Sequence, residues 1–321
     1  MDKFAIVRSS HRAANEVSMK TPRYRRYFLN WLDSRLRDDI GRGGDISTDL
    51  VIPVRHVSNA IVKANCAGTA AGFEEMRYFF KSGSIFSRQL TASGFFTDAQ
   101  QFRKGDVLLR LSGNTRKILQ LERSLLNFLQ RMCGIATLTA HYVRNVPKTV
   151  LICPTRKVLL GDLDKKACLV GGGGTHRLRL DDAVLLKDNH LKATGGNVLE
   201  LLARVSEQGK KLKAESLRFI EIEVDSAAGI VKIAQKLEEL SAANLRLPPL
   251  FILFDNMKPR EISHAIRQIR DAGYGSRLFF EASGGVTAKN IREYGVTGVD
   301  VISVGSLTNS VEAIDLTLEL V

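Results

Sequence analysis

The chain has 321 residues, 44% of them hydrophobic, and a formal net charge of +13 at pH 7. Such a length implies two domains or one large α/β unit. No stretch approaches the roughly 18 uninterrupted apolar residues of a membrane span, and the N-terminus lacks the apolar core and cleavage site of a secretory signal. The excess positive charge attracts polyanions, whether nucleic acid, an anionic membrane or a small molecule.

In chain order, residues 1–22 read as a loosely ordered extension. RYRRYFLNW, residues 23–31, is the one segment with the interleaved basic and aromatic residues of a nucleic-acid arm. Its apolar spacing fits better an amphipathic helix over 23–40, docked on the body and ended by Gly41. The turn-rich GRGGDISTDL that follows offers Asp45 and Asp49, either to a site or as caps of a connection. Residues 54–112 alternate in a β manner, with SNAIVKANCAG, SRQLTASG and KGDVLLRLSGN as strands broken at Gly94 and Lys104–Asp106. A long helix is expected from Thr115 to Tyr142, interrupted near Gly134. Ile118, Leu121, Leu125, Leu129 and Met132 form its core face. Arg116, Gln120, Arg123, Asn127 and Arg131 form a polar stripe, of a kind that is usually solvated. Together these make an N-terminal α+β, sandwich-like domain over 23–145. The four cysteines (Cys66, Cys133, Cys153, Cys168) sit far apart with no CxxC pair. Buried thiols in a reducing cytoplasm are the expectation.

From Val150 the period changes to apolar strand, then amphipathic helix. VLIC, AVLL, FIEIEV, LFILF, LFFEA and DVISV are the strands, and VLELLARVSEQ, AGIVKIAQKLEEL and PREISHAIRQIRDA are helices between them. That alternation predicts a parallel sheet buried on both faces over 146–321, and six strands rather than eight fit the incomplete α/β barrel of the family resembled below. The strands empty into Arg156 and Lys157, Lys187, Glu223, Asp255, Glu281 with Ser283-Gly284-Gly285, and Gly305, all on one rim. Between the first two strands lie four consecutive glycines, Gly171 to Gly174, then His176 and Arg177. The glycines alone fit equally a plain loop beside a solvated basic patch. Converging cations instead make an anion site. Glu223 and Asp255 suit a divalent metal or a cationic transition state, or else ion pairs with Lys187 or Lys157. The SGG turn offers N–H groups to a phosphate. No phosphate-binding GxxxxGK[ST] loop or GxSxG nucleophile turn is present. A lone His176 reads as structural, and the tandem Asp181-Asp182 as a cap or solvated pair. A site rich in cations and poor in nucleophiles suits substrates that react with each other.

TRK, GGGGTHRL and LLKDNH, with GGDISTDLVIP and LERSLLNFLQRMCGIATLTAHYV upstream and EIEVDS, LFDNM, FEASGGV and VISVGSLTNS downstream, resemble the quinolinate phosphoribosyltransferase family over about residues 30 to 321. The resemblance implies conversion of quinolinate and phosphoribosyl pyrophosphate to nicotinate mononucleotide, pyrophosphate and CO2, with Mg2+, in a cytoplasmic homodimer or higher homo-oligomer. It implies that Arg156, Lys157, His176, Arg177 and Lys187 surround quinolinate and nearby phosphate oxygens. Glu223 and Asp255 would face the ribose and its magnesium, with Lys157, Lys187, Glu223 and Asp255 the catalytic set. Ser283, Gly284 and Gly305 would hold the 5′-phosphate, and Arg123 would reach into a partner's site. The chain departs from the family pattern at Val158, where a threonine is common, and at Asn309, where a histidine is common. A paralogue acting on another acceptor, of the molybdenum-transport-associated ModD type, and a non-catalytic phosphometabolite-binding protein are the alternatives. Neither a nucleic acid nor a membrane is an expected partner.

Overall fold

The structure, a computed structural model, describes residues 2–195, 197–209, 217–242 and 248–321. The first part of the chain runs α1 (Lys3–His11), α2 (Pro22–Ile40), α3 (Ile46–Val51), β1 (Val57–Ala64), β2 (Gly68–Thr69), α4 (Phe73–Lys81), β3 (Leu90–Ser93), β4 (Gln101–Phe102), β5 (Val107–Asn114) and α5 (Thr115–Arg144). There follow β6 (Leu151–Pro154), α6 (Asp162–Val170), β7 (Val184–Leu186), α7 (Asp188–Ala193), α8 (Val198–Gly209) and β8 (Ile220–Val224). The chain then completes α9 (Ile230–Ala242), β9 (Leu250–Asp255), α10 (Pro259–Asp271), β10 (Leu278–Ser283), α11 (Ile291–Gly295), β11 (Val301–Val304), α12 (Ser306–Asn309) and β12 (Leu316–Leu320). It forms two units that it visits alternately rather than in succession. One holds the residues up to Ala13, His141–Lys157 and Gly173–Ser306, and the other holds Ala14–Ala140, Val158–Gly172 and Leu307–Val321. The chain thus returns to each unit more than once.

The α+β unit is built on an antiparallel four-stranded sheet, β12-β1-β5-β3. Tyr24, Phe28, Leu32 and Leu36 recur every fourth residue of α2 and are all buried, and Gly41 ends the helix in the left-handed region at φ +61°. Asp45 caps α3 by accepting the Thr48 N–H (3.1 Å), and Asp49 pairs with Arg116 (2.5 Å), so both acids serve the connection. α4 lies inside the segment read as β. Phe73, Met76 and Phe79, three apart, bury its inner face, and Glu74 and Glu75 suit the positive end of its dipole. β12 was likewise not expected. It pairs with β1 from Ala60↔Leu320 to Ala64↔Leu316, returning the last residues to this unit. α5 runs unbroken for 30 residues. Gly134 is not a break but a close approach, since a Cβ there would lie 2.3 Å from the Glu312 carbonyl oxygen.

In the other unit the six expected strands are the six strands of one parallel sheet, ordered β6-β11-β10-β9-β8-β7. Both faces are covered, which is why the strands read as apolar runs. β6 and β7, successive in the chain, stand at opposite edges, so the barrel is open. α1 corrects the expectation of a loose extension. Val7 and His11 are buried, and Phe4 and Ile6 pack on the core of Leu151, Phe219, Phe251, Phe279 and Val301. Apolar contact at both turns of this short helix outweighs its weak amphipathicity.

Candidate active site

Parallel register brings the C-terminal ends of six strands to one rim, and the residues there belong to the barrel unit. Glu223 of β8 stands opposite Leu253 of β9, and Asp255 lies two residues beyond Leu253, opposite Ser283 of β10. Alternation along a strand then projects Glu223, Asp255 and Ser283 from one face. Lys187, just past β7, ion-pairs with Glu223 (2.5 Å), the pair offered from sequence as an alternative to a metal. Asp255 accepts a hydrogen bond from Asn256 Nδ2 (2.8 Å). Arg156 and Lys157 are exposed after β6, with the Lys157 N–H on Thr155 Oγ1 (3.2 Å). Arg177 is 8% exposed. Burial, and then the charge of Arg156 nearby, weaken the hold of its guanidinium on a proton. Like charges gathered this way are relieved by an anion.

Gly284 and Gly285 both adopt left-handed backbone, at φ +80° and +63°, and a Cβ on Gly284 would fall 2.2 Å from Asn256 Oδ1. Asn256 itself is left-handed (φ +56°) and donates its N–H to the Ser283 carbonyl (2.8 Å). With no side chains, Gly284 and Gly285 let an anion approach the backbone N–H groups closely. Gly305 follows β11 on the same rim, half-buried.

Arg123 belongs to the other unit. Within its polar stripe Arg116 pairs with Asp49, and Arg131 grips buried Asp164 with two nitrogens (2.8 and 2.7 Å). Arg123 stays 61% exposed, and among the described residues its ion-pair partner is its neighbour Glu122 at 3.3 Å. Asp182 proves a buried cap, accepting the Leu178 N–H at 2.7 Å, while Asp181 is exposed.

His176 is buried inside the barrel, in the left-handed region at φ +52°. Its Nε2 lies 3.3 Å from both Glu221 and Glu281, and its ring meets His11 and Phe219 edge-on. Burial opposes its protonation, but the charge of Glu281 and contacts with both acids prevail and raise it to about 9. Burial, then the charge of Glu281, pushes Glu221 up to about 8, whereas burial lowers His11 to about 4. Glu281, desolvated but beside charged His176, is held below the ordinary range. Sequence reasoning missed His11 and Glu221. The signal was IEIEV, whose alternation puts Glu221 on the same face as Glu223 in an otherwise apolar buried strand.

Magnesium prefers carboxylate oxygens and keeps several waters. Glu223 and Asp255, half-buried on adjacent strands and projecting from one face, fit it.

The chain matches the family model for quinolinate phosphoribosyl transferase, N-terminal domain, over residues 45–133, and that for its C-terminal domain over residues 135–319. It is 36% identical over 302 residues to a probable nicotinate-nucleotide pyrophosphorylase [carboxylating] of Methanocaldococcus jannaschii, covering 92% of this chain and 98% of that protein. It is 34% identical over 321 residues to the chloroplastic nicotinate-nucleotide pyrophosphorylase [carboxylating] of Arabidopsis thaliana, covering 97% and 89%. Among solved structures, NadC from Streptococcus pyogenes superposes with a TM-score of 0.76 at 30% identity, covering 91% of this chain and 96% of that one. The nicotinate-nucleotide pyrophosphorylase from Ehrlichia chaffeensis gives 0.77 at 28% identity, covering 92% and 98%. The chain belongs to the quinolinate phosphoribosyltransferase family.

Proposed function

We propose that this chain transfers the phosphoribosyl group of phosphoribosyl pyrophosphate to the ring nitrogen of quinolinate, giving nicotinate mononucleotide, pyrophosphate and CO2. The observation that carries the reading is the single rim holding Arg156, Lys157, Arg177, Lys187, Glu223, Asp255 and the Ser283–Gly285 turn. Arg156, Arg177 and Lys187 bind the two carboxylates of quinolinate and orient its nitrogen toward the anomeric carbon. Ser283, Gly284 and Gly305 hold the 5′-phosphate with hydroxyl and backbone N–H groups. As the nitrogen–carbon bond forms and the carbon–oxygen bond to pyrophosphate breaks, positive charge develops on the ribosyl group. Glu223 and Asp255 face that charge. They would also hold magnesium, which when bound neutralises the leaving pyrophosphate. Lys157 adds a cation to the departing phosphates. His176, through the Arg177 N–H that its Nδ1 accepts (2.8 Å), fixes the Arg177 backbone.

The exposed Arg123 supports a shared site, in which each subunit of a homodimer lends its long helix to the other. No helix among the described residues is long and apolar enough to cross a membrane. No disulfide joins the four cysteines, which supports operation in a reducing cytoplasm.

The test is to incubate the protein with quinolinate, phosphoribosyl pyrophosphate and magnesium and follow nicotinate mononucleotide. Asp255→Asn is expected to lower kcat while quinolinate affinity stays nearly constant. A lowered melting temperature with activity per folded molecule preserved would make Asp255 structural.

A further inference from the structure

The barrel unit encloses a second polar cluster, separate from the rim acids. One ring nitrogen each of His11 and His176 and one carboxylate oxygen each from Glu221 and Glu281 all lie within 4.8 Å of one another. Their residues are 0%, 5%, 0% and 0% exposed. Phe219 stacks on the His11 ring with centroids 4.1 Å apart, and Phe251 lies at 4.5 Å, so the walls are apolar.

Hydrogen bonds at Nδ1 hold both rings in place. Ser10 Oγ gives its proton to the Val7 carbonyl (3.0 Å) and lies 2.9 Å from His11 Nδ1. His11 Nε2 faces Glu281 Oε2 at 3.4 Å. The Arg177 N–H points at His176 Nδ1 (2.8 Å), which leaves His176 Nε2 to face both acids at 3.3 Å. His11 Nε2 and all four oxygens of Glu221 and Glu281 lack a hydrogen-bond partner. Two desolvated carboxylates facing two imidazole nitrogens form a donor set that a divalent cation would satisfy.

We propose that His11, Glu221 and Glu281 are the ligands of a divalent transition metal of the zinc or manganese class, with His176 donating Nε2–H to the two carboxylates. Ligand distances of about 2.0–2.2 Å put neighbouring donor atoms around a small ion about 3.3 Å apart. The cluster shows 3.4 Å between two of the proposed ligand atoms, His11 Nε2 and Glu281 Oε2. The mixed imidazole–carboxylate set suits such an ion, whereas Glu223 and Asp255 offer oxygen alone. Ser10 would fix the His11 ring as an outer partner fixes a metal-bound histidine. Binding displaces protons from the acids and joins the N-terminal helix to two strands of the barrel. The site does not depend on the acceptor used at the rim.

The test takes full-length protein, strips it with chelator, and adds Zn2+ or Co2+ in the presence of excess Mg2+. One equivalent of zinc per chain is expected to survive dialysis, and Co2+ should show visible d–d absorption. Affinity should fall at least about tenfold in His11→Ala and in Glu281→Gln, and be retained in Asp255→Asn. Circular dichroism identifies any variant that fails to fold, and Glu221→Gln then replaces it. The proposal is overturned if the wild type retains no metal, in which case the cluster holds protons alone. It is equally overturned if Asp255→Asn abolishes binding while His11→Ala keeps it.

Discussion

Glu75 of α4 shows how much an interior can change one carboxyl group. It is fully buried, accepts a hydrogen bond from Tyr24 Oη (2.9 Å), and is pushed up to about 7, first by desolvation and then by the charge of Asp98. The folded chain binds this proton more tightly than the unfolded chain, whose group keeps the ordinary value of 4.5. The associated stability is full below the unfolded value and is lost as pH rises through about 7. Glu75→Gln cannot ionise, so its melting temperature should gain on the wild type above this window and match it below. A constant difference across pH would contradict the assignment. The sequence made the rim acids legible, because Glu223 and Asp255 end apolar strands. It did not reveal Glu75 or His11, whose environments come from residues far away in the chain.

Among the elements, α1 has the least obvious consequence. The His11 carbonyl accepts the N–H groups of Thr175 (2.7 Å) and His176 (3.1 Å), and the Ala13 N–H donates to Thr175 Oγ1 (3.0 Å). The end of this helix thus holds the loop that carries Arg177. Deleting residues 2–12 should raise KM for quinolinate more than it lowers kcat, as well as lower the melting temperature. An unchanged KM would make the helix a passenger. Gly174 belongs to the same joint, since a Cβ there would lie 2.6 Å from Cys153 Sγ and 2.7 Å from the His11 carbonyl oxygen. Gly174→Ala should cost about 1–3 kcal/mol in denaturant unfolding. The six parallel strands were legible because burial on both faces leaves long apolar runs. α1, α4 and β12 were not, being short elements whose formation depends on tertiary contact more than on propensity.

For the whole molecule, the chain order concealed the interleaving of the two units, because nothing in residues 158–172 or 307–321 marks which core they join. The charge of +13 suits a protein whose substrates are both anions. A shared site makes a prediction for the assembly. Arg123→Ala and Lys187→Ala should each be inactive, yet co-refolded together they should recover about one quarter of wild-type activity, since random pairing makes half the dimers mixed, each with one intact site. Exchange of differently tagged chains without recovery would place Arg123 in its own subunit's site or in none. The central claim is that this rim selects a pyridine dicarboxylate, and kcat/KM for quinolinate against nicotinate tests it most directly. Losing the contact to the second carboxylate costs roughly 1.5–3 kcal/mol, so quinolinate should be favoured by about ten- to hundredfold, with one CO2 released per nicotinate mononucleotide. Equal kcat/KM for the two acids would contradict the account.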